Sequence, residues 1–487
     1  MKLSIVIPAY NCGPLLHKGL QYLARQDAEW FQTDQAELIV VDDGSSDDTS
    51  FYIERIRSVL PKLRYMYRPR DENSGRSCAR NLGLREAAGE YVCFLDAGML
   101  MPPNFVSRIF TLYEKSPSVV TLHSMYGIDL DPAVTDSSAV EGITPDNIEE
   151  IAVKLGKLPI WKDRREPFFL YMRDDIQQLA LPWELGYSGA ITVPARTALD
   201  IGGFDESYKG WGVEDIDFAY RLHREGVYFR SDRQAYAIHY PHESASSGDR
   251  QAFSDYQNRI QMHIKFKELE TELFPEYQGH FYGAFIEKMN TLQLPKLADY
   301  TTEELDKVSA CAALSSRTLL ISTDDQELVR HLNVSHLYVH NRPTLEFFRT
   351  EFPSRVVEYS LGLRTFLPKN SFGLCVVTDI IRVLHPEIRV KLLRELTRIS
   401  REVILLLSAG RWAPETAFLA PNETGQPAKE EEAAHEQTQT APAFLQFDLI
   451  RSPRIRHVME PHFWCEEDDL HDLLDRIKRD KVSDPTS

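Results

Sequence analysis

The first hundred residues alternate between apolar stretches of strand length and amphipathic stretches. KLSIVIPAYN, AELIVVDDGSSDDTS and YVCFLD are strand-like and end in polar or turn residues, and GPLLHKGLQYLARQ, between the first two, has a helical period. A helix at about residues 49–60, the short strand LRYMYR and the helix SCARNLGLREAA complete the rhythm of a parallel, doubly wound α/β sheet. Because ligands bind beyond the carboxyl ends of such strands, residues 8–11, 42–45 and 96–98 are predicted to lie along one rim.

A second alternating region begins at about residue 316. RTLLIS, HLYVHN, SFGLCVVTD and EVILLLS are strand-like and are separated by helical stretches. We therefore predict an α/β domain at residues 1–253, a helical, charged connector at 254–312 and a second α/β domain at 313–487. Within the second domain, residues of about 420–443 are low in bulky apolar side chains, which predicts a disordered loop.

Composition narrows the class of partner. The 487 residues carry a formal charge of −18, which disfavours nucleic acid and anionic membrane surfaces and favours a small or neutral ligand. Six cysteines lie far apart without a C-x-x-C pair, so neither a zinc cage nor a disulfide framework is indicated and a reducing cytosol is expected. No stretch approaches about 18 consecutive apolar residues. The sequence thus predicts a soluble, cytoplasmic protein without a transmembrane segment.

Two carboxylates stand where the second strand ends, in VVDDGSSDDTS. Asp42 and Asp43 are placed to accept hydrogen bonds from the base or ribose of a nucleotide. The alternative is turn chemistry, because Asp, Gly and Ser also form turns and Asp47 or Asp48 can cap the next helix. From the residues alone, both interpretations stay open.

A single carboxylate, Asp96, follows the strand in FLDAGML. A hard divalent cation takes oxygen ligands, so this position suits a metal that neutralises a phosphate-rich leaving group, although a lone Asp at a turn is also a common structural residue. His239 and His242 lie three positions apart in YAIHYPHESASSG. Neutral imidazoles at this spacing can complete a cation site that is poor in carboxylates, or can be bystanders.

A third acidic group opens the helix in GWGVEDIDFAYRLHREG. Glycines on both sides of Trp211 permit a close approach to a ligand, and the indole offers a stacking face. Glu214, Asp215 and Asp217 fall in the first helical turn, where the helix dipole also favours acidic residues. Asp217 and Arg221 are predicted to form an i, i+4 salt bridge on the surface.

Taken in order, IVIPAYN, VVDDGSSDDT, ENSGRSCARNLGLREAAGEYVCFLDAG and GGFDESYKGWGVEDIDFAYRLHREG resemble the family 2 nucleotide-sugar glycosyltransferases, which have the GT-A fold. The last segment also resembles the acceptor-side motif of galactosyltransferases, N-acetylgalactosaminyltransferases and chondroitin-polymerase-like enzymes. The match covers about residues 1–270. It implies inverting transfer of a sugar from a UDP-sugar to an acceptor hydroxyl or thiol, assisted by Mn²⁺ or Mg²⁺.

The resemblance also implies roles for individual residues. Arg80 would lie beside the donor, and Asp96 would be the first acid of the metal-binding D-x-D motif. Asp215 would be the general base, with Glu214 and Trp211 shaping the acceptor and sugar site. Five residues would border the base and ribose: Pro8, Ala9, Tyr10, Asp42 and Asp43.

Gly98 departs from the family pattern, because D-x-D reads D-A-G in this chain. One oxygen ligand is lost, and His239 or His242 would be the late metal ligand. Metal binding is then either weaker and assisted by histidine, or of little importance to the reaction. A sugar-nucleotide or glycan binding module that has lost catalysis is a further alternative, which the presence of Asp215 disfavours.

The stretch from PKNSFGLCVVTD to SREVILLLS resembles the late half of class I S-adenosylmethionine-dependent methyltransferases, and HVMEPHFWCEEDDLHDLLDRI resembles their closing segment. The front half departs from the family, since TLLISTDDQELVRHL lacks the glycine-rich turn and His340 and Asn341 replace the ribose-binding acid. We expect a methyltransferase-like domain that does not bind cofactor and serves as a scaffold, acceptor dock or dimer surface. The alternative is a bifunctional glycosyltransferase and methyltransferase.

The sequence leaves the acceptor of the sugar open. A glycan, a peptide, a natural product or a lipid-linked intermediate fits as acceptor.

Overall fold

A computed structural model of the chain describes residues 2–408 apart from 28–29, 32, 129, 131–136, 243–248 and 278–281, together with 473–474 and 477–478. The chain divides into two compact units, an N-terminal unit of Met1–Met262 and a C-terminal unit of His263–Ser487. The predicted loop at 420–443 and the predicted closing segment's cysteine, Cys465, lie outside the described residues. The five described cysteines are free thiols.

The N-terminal unit contains eight strands and eight longer helices among its described residues, and a ninth helix begins in it. The strands are β1 (Leu3–Ala9), β2 (Ala36–Asp42), β3 (Arg64–Tyr67), β4 (Tyr91–Leu95), β5 (Met99–Leu100), β6 (Val119–Tyr126), β7 (Ala190–Pro194) and β8 (Tyr228–His239). The helices are α1 (Gly13–Leu23), α2 (Thr49–Ile56), α3 (Arg76–Glu86), α4 (Phe105–Lys115), α5 (Ile148–Leu155), α6 (Glu166–Tyr171), α7 (Ala195–Asp200), α8 (Glu214–Arg224) and α9 (Asp249–Phe266).

These eight strands form one sheet in the order β3-β2-β1-β4-β7-β6-β8-β5. The first four are parallel, with Ala9 opposite Asp42, as the alternation of strands and helices predicts. Strand β7 then pairs antiparallel to β4 and β6, and β5 pairs antiparallel to β8. The sheet is therefore mixed, because β7 returns after the long, irregular stretch that separates it from β6.

The C-terminal unit holds a smaller sheet whose five described strands are all parallel. The strands are β9 (Thr318–Ile321), β10 (His336–Val339), β11 (Val356–Tyr359), β12 (Phe372–Val377) and β13 (Ser400–Leu405), in the order β11-β10-β9-β12-β13. The helices are α10 (Leu269–Leu273), α11 (Gly283–Thr291), α12 (Thr302–Ala313), α13 (Gln326–Leu332), α14 (Arg342–Glu351), α15 (Ile380–Val383) and α16 (Pro386–Ile399). This is the order of a doubly wound sheet with a switch point between β9 and β12.

Four of these five strands coincide with the predicted apolar stretches, and β11 does not. Its sequence, VVEY, alternates between exposed and buried positions over only four residues, which is too short a pattern to stand out. The boundary between the two units falls inside α9, after Met262. Of the described helices, none is both long and apolar enough to cross a membrane.

Candidate active site

The ends of β1 and β2 bring the predicted base and ribose residues together. Pro8 lies opposite Val41, and the Asp43 N–H donates to the Ala9 carbonyl at 2.9 Å. Asp42 is buried, and its carboxylate accepts the Ser45 N–H at 2.7 Å and the Tyr65 hydroxyl at 2.6 Å. One Asp42 oxygen thus shapes the turn, and the other is bound to β3.

Asp43 is held by two arginines that the sequence patterns did not single out. Its oxygens accept from Arg68 at 2.7 Å and from Arg70 at 3.3 Å. The Arg70 guanidinium lies 3.9 Å from the ring centroid of Tyr10, whose side chain is exposed. An exposed aromatic face beside a guanidinium is suited to stack a planar base. A base or ribose contact by either Asp42 or Asp43 stays a prediction.

Arg80 links the donor side of the site to the acidic helix start. It projects from α3, is almost fully buried, and donates to Asp96 at 2.8 Å and to Glu214 at 3.2 Å. Arg76, one turn earlier, lies 3.6 Å from the same Glu214 oxygen. A buried guanidinium needs such partners, because an unpaired charge in the interior is strongly unfavourable. The residues predicted on the two sides of the reaction therefore form one ion-pair network.

The backbone turns sharply just before the acidic pair at the start of α8. Val213 has φ +77°, a left-handed conformation that β-branched residues rarely adopt. The Asp215 carboxylate then accepts the Ile216 N–H at 2.8 Å and the Ser188 N–H at 3.3 Å. Ser188 lies just before β7 and was not predicted, since a backbone donor leaves no signature in the sequence.

Asp215 has an unusual acidity. Burial raises the pKa of Asp215 to about 7, and the negative charge of Glu214 acts in the same direction. Arg80 and the N–H groups of Ser188 and Ile216 lower it by a smaller amount. A carboxylate with a pKa near neutrality is matched to accept a proton from a hydroxyl group.

The Gly-Trp-Gly loop is held in place by α9. Asn258 is buried and donates to the carbonyls of Lys209 at 3.0 Å and Gly212 at 2.9 Å. Ser254 accepts the Trp211 N–H at 3.0 Å, while the Trp211 side chain is 42% exposed. Residues 254–262 were predicted as the start of a connector, and an Asn on a polar helix gave no signal of this role. The loop presents the indole to solvent on a fixed backbone.

Asp217 and Arg221 form the predicted salt bridge, at 2.8 Å, but the prediction of a surface location is wrong. Asp217 is fully buried and Arg221 is 15% exposed. Arg221 also donates to the Ile201 carbonyl at 2.8 Å. The i, i+4 spacing predicts the pair, whereas its burial depends on the loop after α7, which packs over this face of the helix.

His239 and His242 lie close to the end of β4. The pairing of β5 with β8 sets His239 opposite Met99, three residues after Asp96, and the two imidazole centroids are 5.1 Å apart. His242 Nδ1 is 3.0 Å from the Tyr240 carbonyl. When Nδ1 carries the proton and donates to this carbonyl, the lone pair of Nε2 is left to accept a hydrogen bond or bind a metal. Burial and the neighbouring His242 lower the pKa of His239 to about 4, so its imidazole is neutral, the form that binds metals.

These side chains have the chemistry of a weak cation site, and their role as metal ligands stays a prediction. His239 Nδ1 is buried and finds no hydrogen-bond partner in the described part of the chain. Asp96 is partly exposed, with one oxygen on Arg80. No three His, Cys, Asp or Glu residues among those described already form a metal cluster. One carboxylate and two imidazoles suit a borderline ion such as Mn²⁺ if phosphate oxygens complete the shell.

Gly98 has a structural reason to be glycine. Its φ is +87°, and a Cβ at this position would lie 2.4 Å from the Leu15 side chain of α1. Its carbonyl accepts the Tyr240 N–H at 3.2 Å, next to His239. A second Asp of the D-x-D pattern would therefore need a strained backbone and a shift of the Leu15 side chain.

Two family models of known proteins match the part of the chain that contains these residues. Residues 4–180 match the family model of glycosyl transferase family 2. Residues 178–243 match a second model, described as the N-terminal domain of galactosyltransferase. The two ranges lie in the N-terminal unit and contain every predicted site residue from Pro8 to His242. Both N-terminal resemblances are therefore confirmed, and the α/β fold of this unit is that of the GT-A glycosyltransferases.

Curated relatives share about half of the chain. Validoxylamine A glucosyltransferase of Streptomyces hygroscopicus subsp. jinggangensis is 35% identical over 244 residues, which cover 50% of this chain and 56% of the relative. Chondroitin synthase of Escherichia coli is 32% identical over 245 residues, or 49% and 34% of the two chains. The chain spans about half the length of the first of these relatives. Among solved structures, S. aureus TarS with UDP-GlcNAc covers 64% of this chain and 80% of its own at 18% identity and a TM-score of 0.39.

Proposed function

We propose that the chain is an inverting glycosyltransferase that moves a sugar from a UDP-sugar to an acceptor hydroxyl or thiol. The observation that carries the proposal is the pKa of Asp215, which is raised to about 7. Asp215 lies at the start of α8 next to Glu214, and Arg80 donates both to Glu214 and to the donor-side Asp96. The ion-pair network thus joins Glu214, the neighbour of the predicted base, to the predicted donor side. Chemistry between two bound substrates needs such a fixed relation.

In the proposed reaction, Asp215 accepts the proton of the acceptor group as its oxygen or sulfur bonds to the anomeric carbon. The bond from that carbon to UDP breaks on the opposite face, which inverts the configuration. Tyr10 and Arg70 stack the base, Trp211 offers its exposed indole to a sugar ring, and Glu214 shapes the acceptor side.

Asp96, with His239, His242 or both, would hold a divalent cation, Mn²⁺ or Mg²⁺, together with the donor diphosphate. When bound, the ion supplies charge neutralisation for the UDP leaving group. The neutral state of His239 supports this role, since protonated imidazole does not bind metals. With one carboxylate in place of two, the chain's own affinity for the ion is expected to be modest.

The C-terminal unit is proposed to be a methyltransferase-like scaffold, acceptor dock or dimer surface. Its doubly wound strand order supports the fold. The turn after β9 reads S-T-D-D and lacks glycine, which argues against close approach of a cofactor and hence against bifunctional catalysis.

The decisive experiment follows UDP release from a panel of nucleotide sugars with Mn²⁺, Mg²⁺ or chelator. The acceptors include validoxylamine A and chondroitin oligosaccharides, after the names of the two relatives. We expect Asp215→Asn to lower transfer at least about 100-fold, because general-base catalysis contributes on that scale, with UDP affinity unchanged. Glu225→Gln, at the other end of α8, is the matched control. Full turnover by Asp215→Asn would refute the assignment, and donor binding without turnover by the wild type would favour a binding module.

A further inference from the structure

A segment of the C-terminal unit runs across the carboxyl ends of its own strands. We call residues 268–277 and 282–300 the strap; they include α10 and α11. The five strands are parallel, so their carboxyl ends share one rim, and in doubly wound sheets this rim binds the ligand. Strap contacts occur at four neighbouring strand ends, beyond β11, β10, β9 and β12.

Beyond β11, the strap inserts a carboxylate into a ring of backbone donors. Glu272 is fully buried and accepts the N–H groups of residues 361–364 at 2.5 to 3.3 Å and the Ser360 hydroxyl at 3.0 Å. Gly362 has φ +90°, which lets successive N–H groups point inward. Convergent backbone donors of this kind form an anion site. Here the anion is a side chain of the chain itself.

Beyond β10, the strap meets the position where nucleotide-binding folds place a ribose-binding acid. Arg342 donates to Glu268 at 2.8 Å and to Glu270 at 2.9 Å. The His340 ring is fully buried, with Nε2 3.3 Å from the Leu292 carbonyl. The Arg342 guanidinium and the His340 ring are therefore directed to the strap, whereas Asn341 caps α14 by accepting the Thr344 N–H at 2.8 Å.

The strap also engages both sides of the switch point. Beyond β9, the Leu297 N–H donates to Asp325 at 2.6 Å. Beyond β12, the Tyr300 hydroxyl donates to Asp379 at 3.1 Å, in buried surroundings. The crevice between these strands is where an open α/β sheet ordinarily receives its ligand.

We propose that the strap occupies the ligand rim of the C-terminal sheet as an intramolecular ligand, so that this unit binds no nucleotide cofactor. A nucleotide can enter only if the strap leaves. Departure of Glu272 alone would take the shared acceptor from these N–H groups, of which Gly362 keeps a contact to the Ser360 hydroxyl at 3.0 Å, and buried polar groups that lose their partners are costly. The inference gives a physical ground for the proposed scaffold role and does not depend on glycosyl transfer, which UDP release reports separately.

Hydrogen exchange of the full chain tests whether the strap is in place in solution. We expect the amides of residues 361–364 to be protected in the wild type and to exchange about tenfold faster or more in Glu272→Ala. Glu303→Ala, an exposed position in α12, is the matched control and should change nothing. If the amides of residues 361–364 exchange in the wild type as fast as in an unfolded chain, the proposal is overturned.

Ligand titration provides a second test that holds even if Glu272→Ala does not fold. Calorimetry of the wild-type chain with S-adenosylmethionine, and separately with ATP, is expected to give no binding heat. Either probe binding with a Kd below about 100 μM in the presence of saturating UDP, which fills the nucleotide site proposed in the N-terminal unit, would show an open rim and overturn the proposal. Tyr300→Phe removes one strap contact mildly and is expected to leave both titrations unchanged.

Discussion

The pH dependence of transfer follows directly from the position of Asp215. A base acts in its ionised form, and with a pKa of about 7 the ionised fraction of Asp215 rises from about 1% at pH 5 to about 90% at pH 8. The transfer rate is therefore expected to rise about 90-fold over this interval and to level off above pH 8. With the ordinary value of 3.8, the carboxylate would be more than about 90% ionised at pH 5 already, and the profile would be flat.

Glu214→Gln tests the cause of the raised pKa. Burial is the largest contribution and the Glu214 charge is the next, so the variant should keep most of the rise. The substitution removes a negative charge next to Asp215, which favours its ionised form. It also removes the Glu214 carboxylate that neutralises Arg80, so the positive charge of Arg80 stabilises ionised Asp215 more strongly. We expect the midpoint of the pH profile to fall, which extends activity to lower pH.

The assay is the rate of UDP release under saturating donor, at fixed Mn²⁺ and ionic strength, from pH 5 to 8.5. Circular dichroism at each pH separates loss of fold from loss of ionisation. Glu225→Gln is the control for a charge removed from the same helix, and its midpoint should equal that of the wild type. A flat wild-type profile would contradict the raised pKa of Asp215, and a midpoint that rises in Glu214→Gln would contradict Glu214 as one of its causes.

Three further predictions concern the surroundings of the base. Gly98→Asp should reduce the free energy of unfolding by about 2 kcal/mol or more, and with it the unfolding temperature, because the new Cβ would clash with Leu15. Electron paramagnetic resonance should show no tighter binding of Mn²⁺ by this variant. A stable variant with tighter binding contradicts this steric explanation. Asn258→Ala should cost about 1–3 kcal/mol in urea unfolding and raise the acceptor KM, since the Trp211 loop loses its anchors; an unchanged KM would separate the loop from acceptor binding. His239→Ala should weaken Mn²⁺ binding in the presence of UDP about tenfold, and equal transfer rates in a chelator would exclude the metal role.

The local patterns of the sequence were enough for the predicted strands at the donor rim. The apolar runs ending at Ala9, Asp42 and Leu95 are β1, β2 and β4, and the parallel order brings their carboxyl ends to one edge. The acidic start of α8 was equally visible, because helix period and glycine punctuation act within a few residues. The short β11 was missed because four residues carry too little pattern.

Tertiary packing decided the features that make the site specific. Arg80 meets Glu214 across 134 positions of sequence, and Asn258 holds the Gly212 carbonyl from a helix that looked like a connector. The pKa of Asp215 depends on burial, which no spacing of charges reveals. The same holds for Glu272, an ordinary acid in the sequence that becomes a buried ligand of the loop after β11. Sequence periodicity thus determines which face each element buries, whereas the partners across that face are fixed only when the elements pack together.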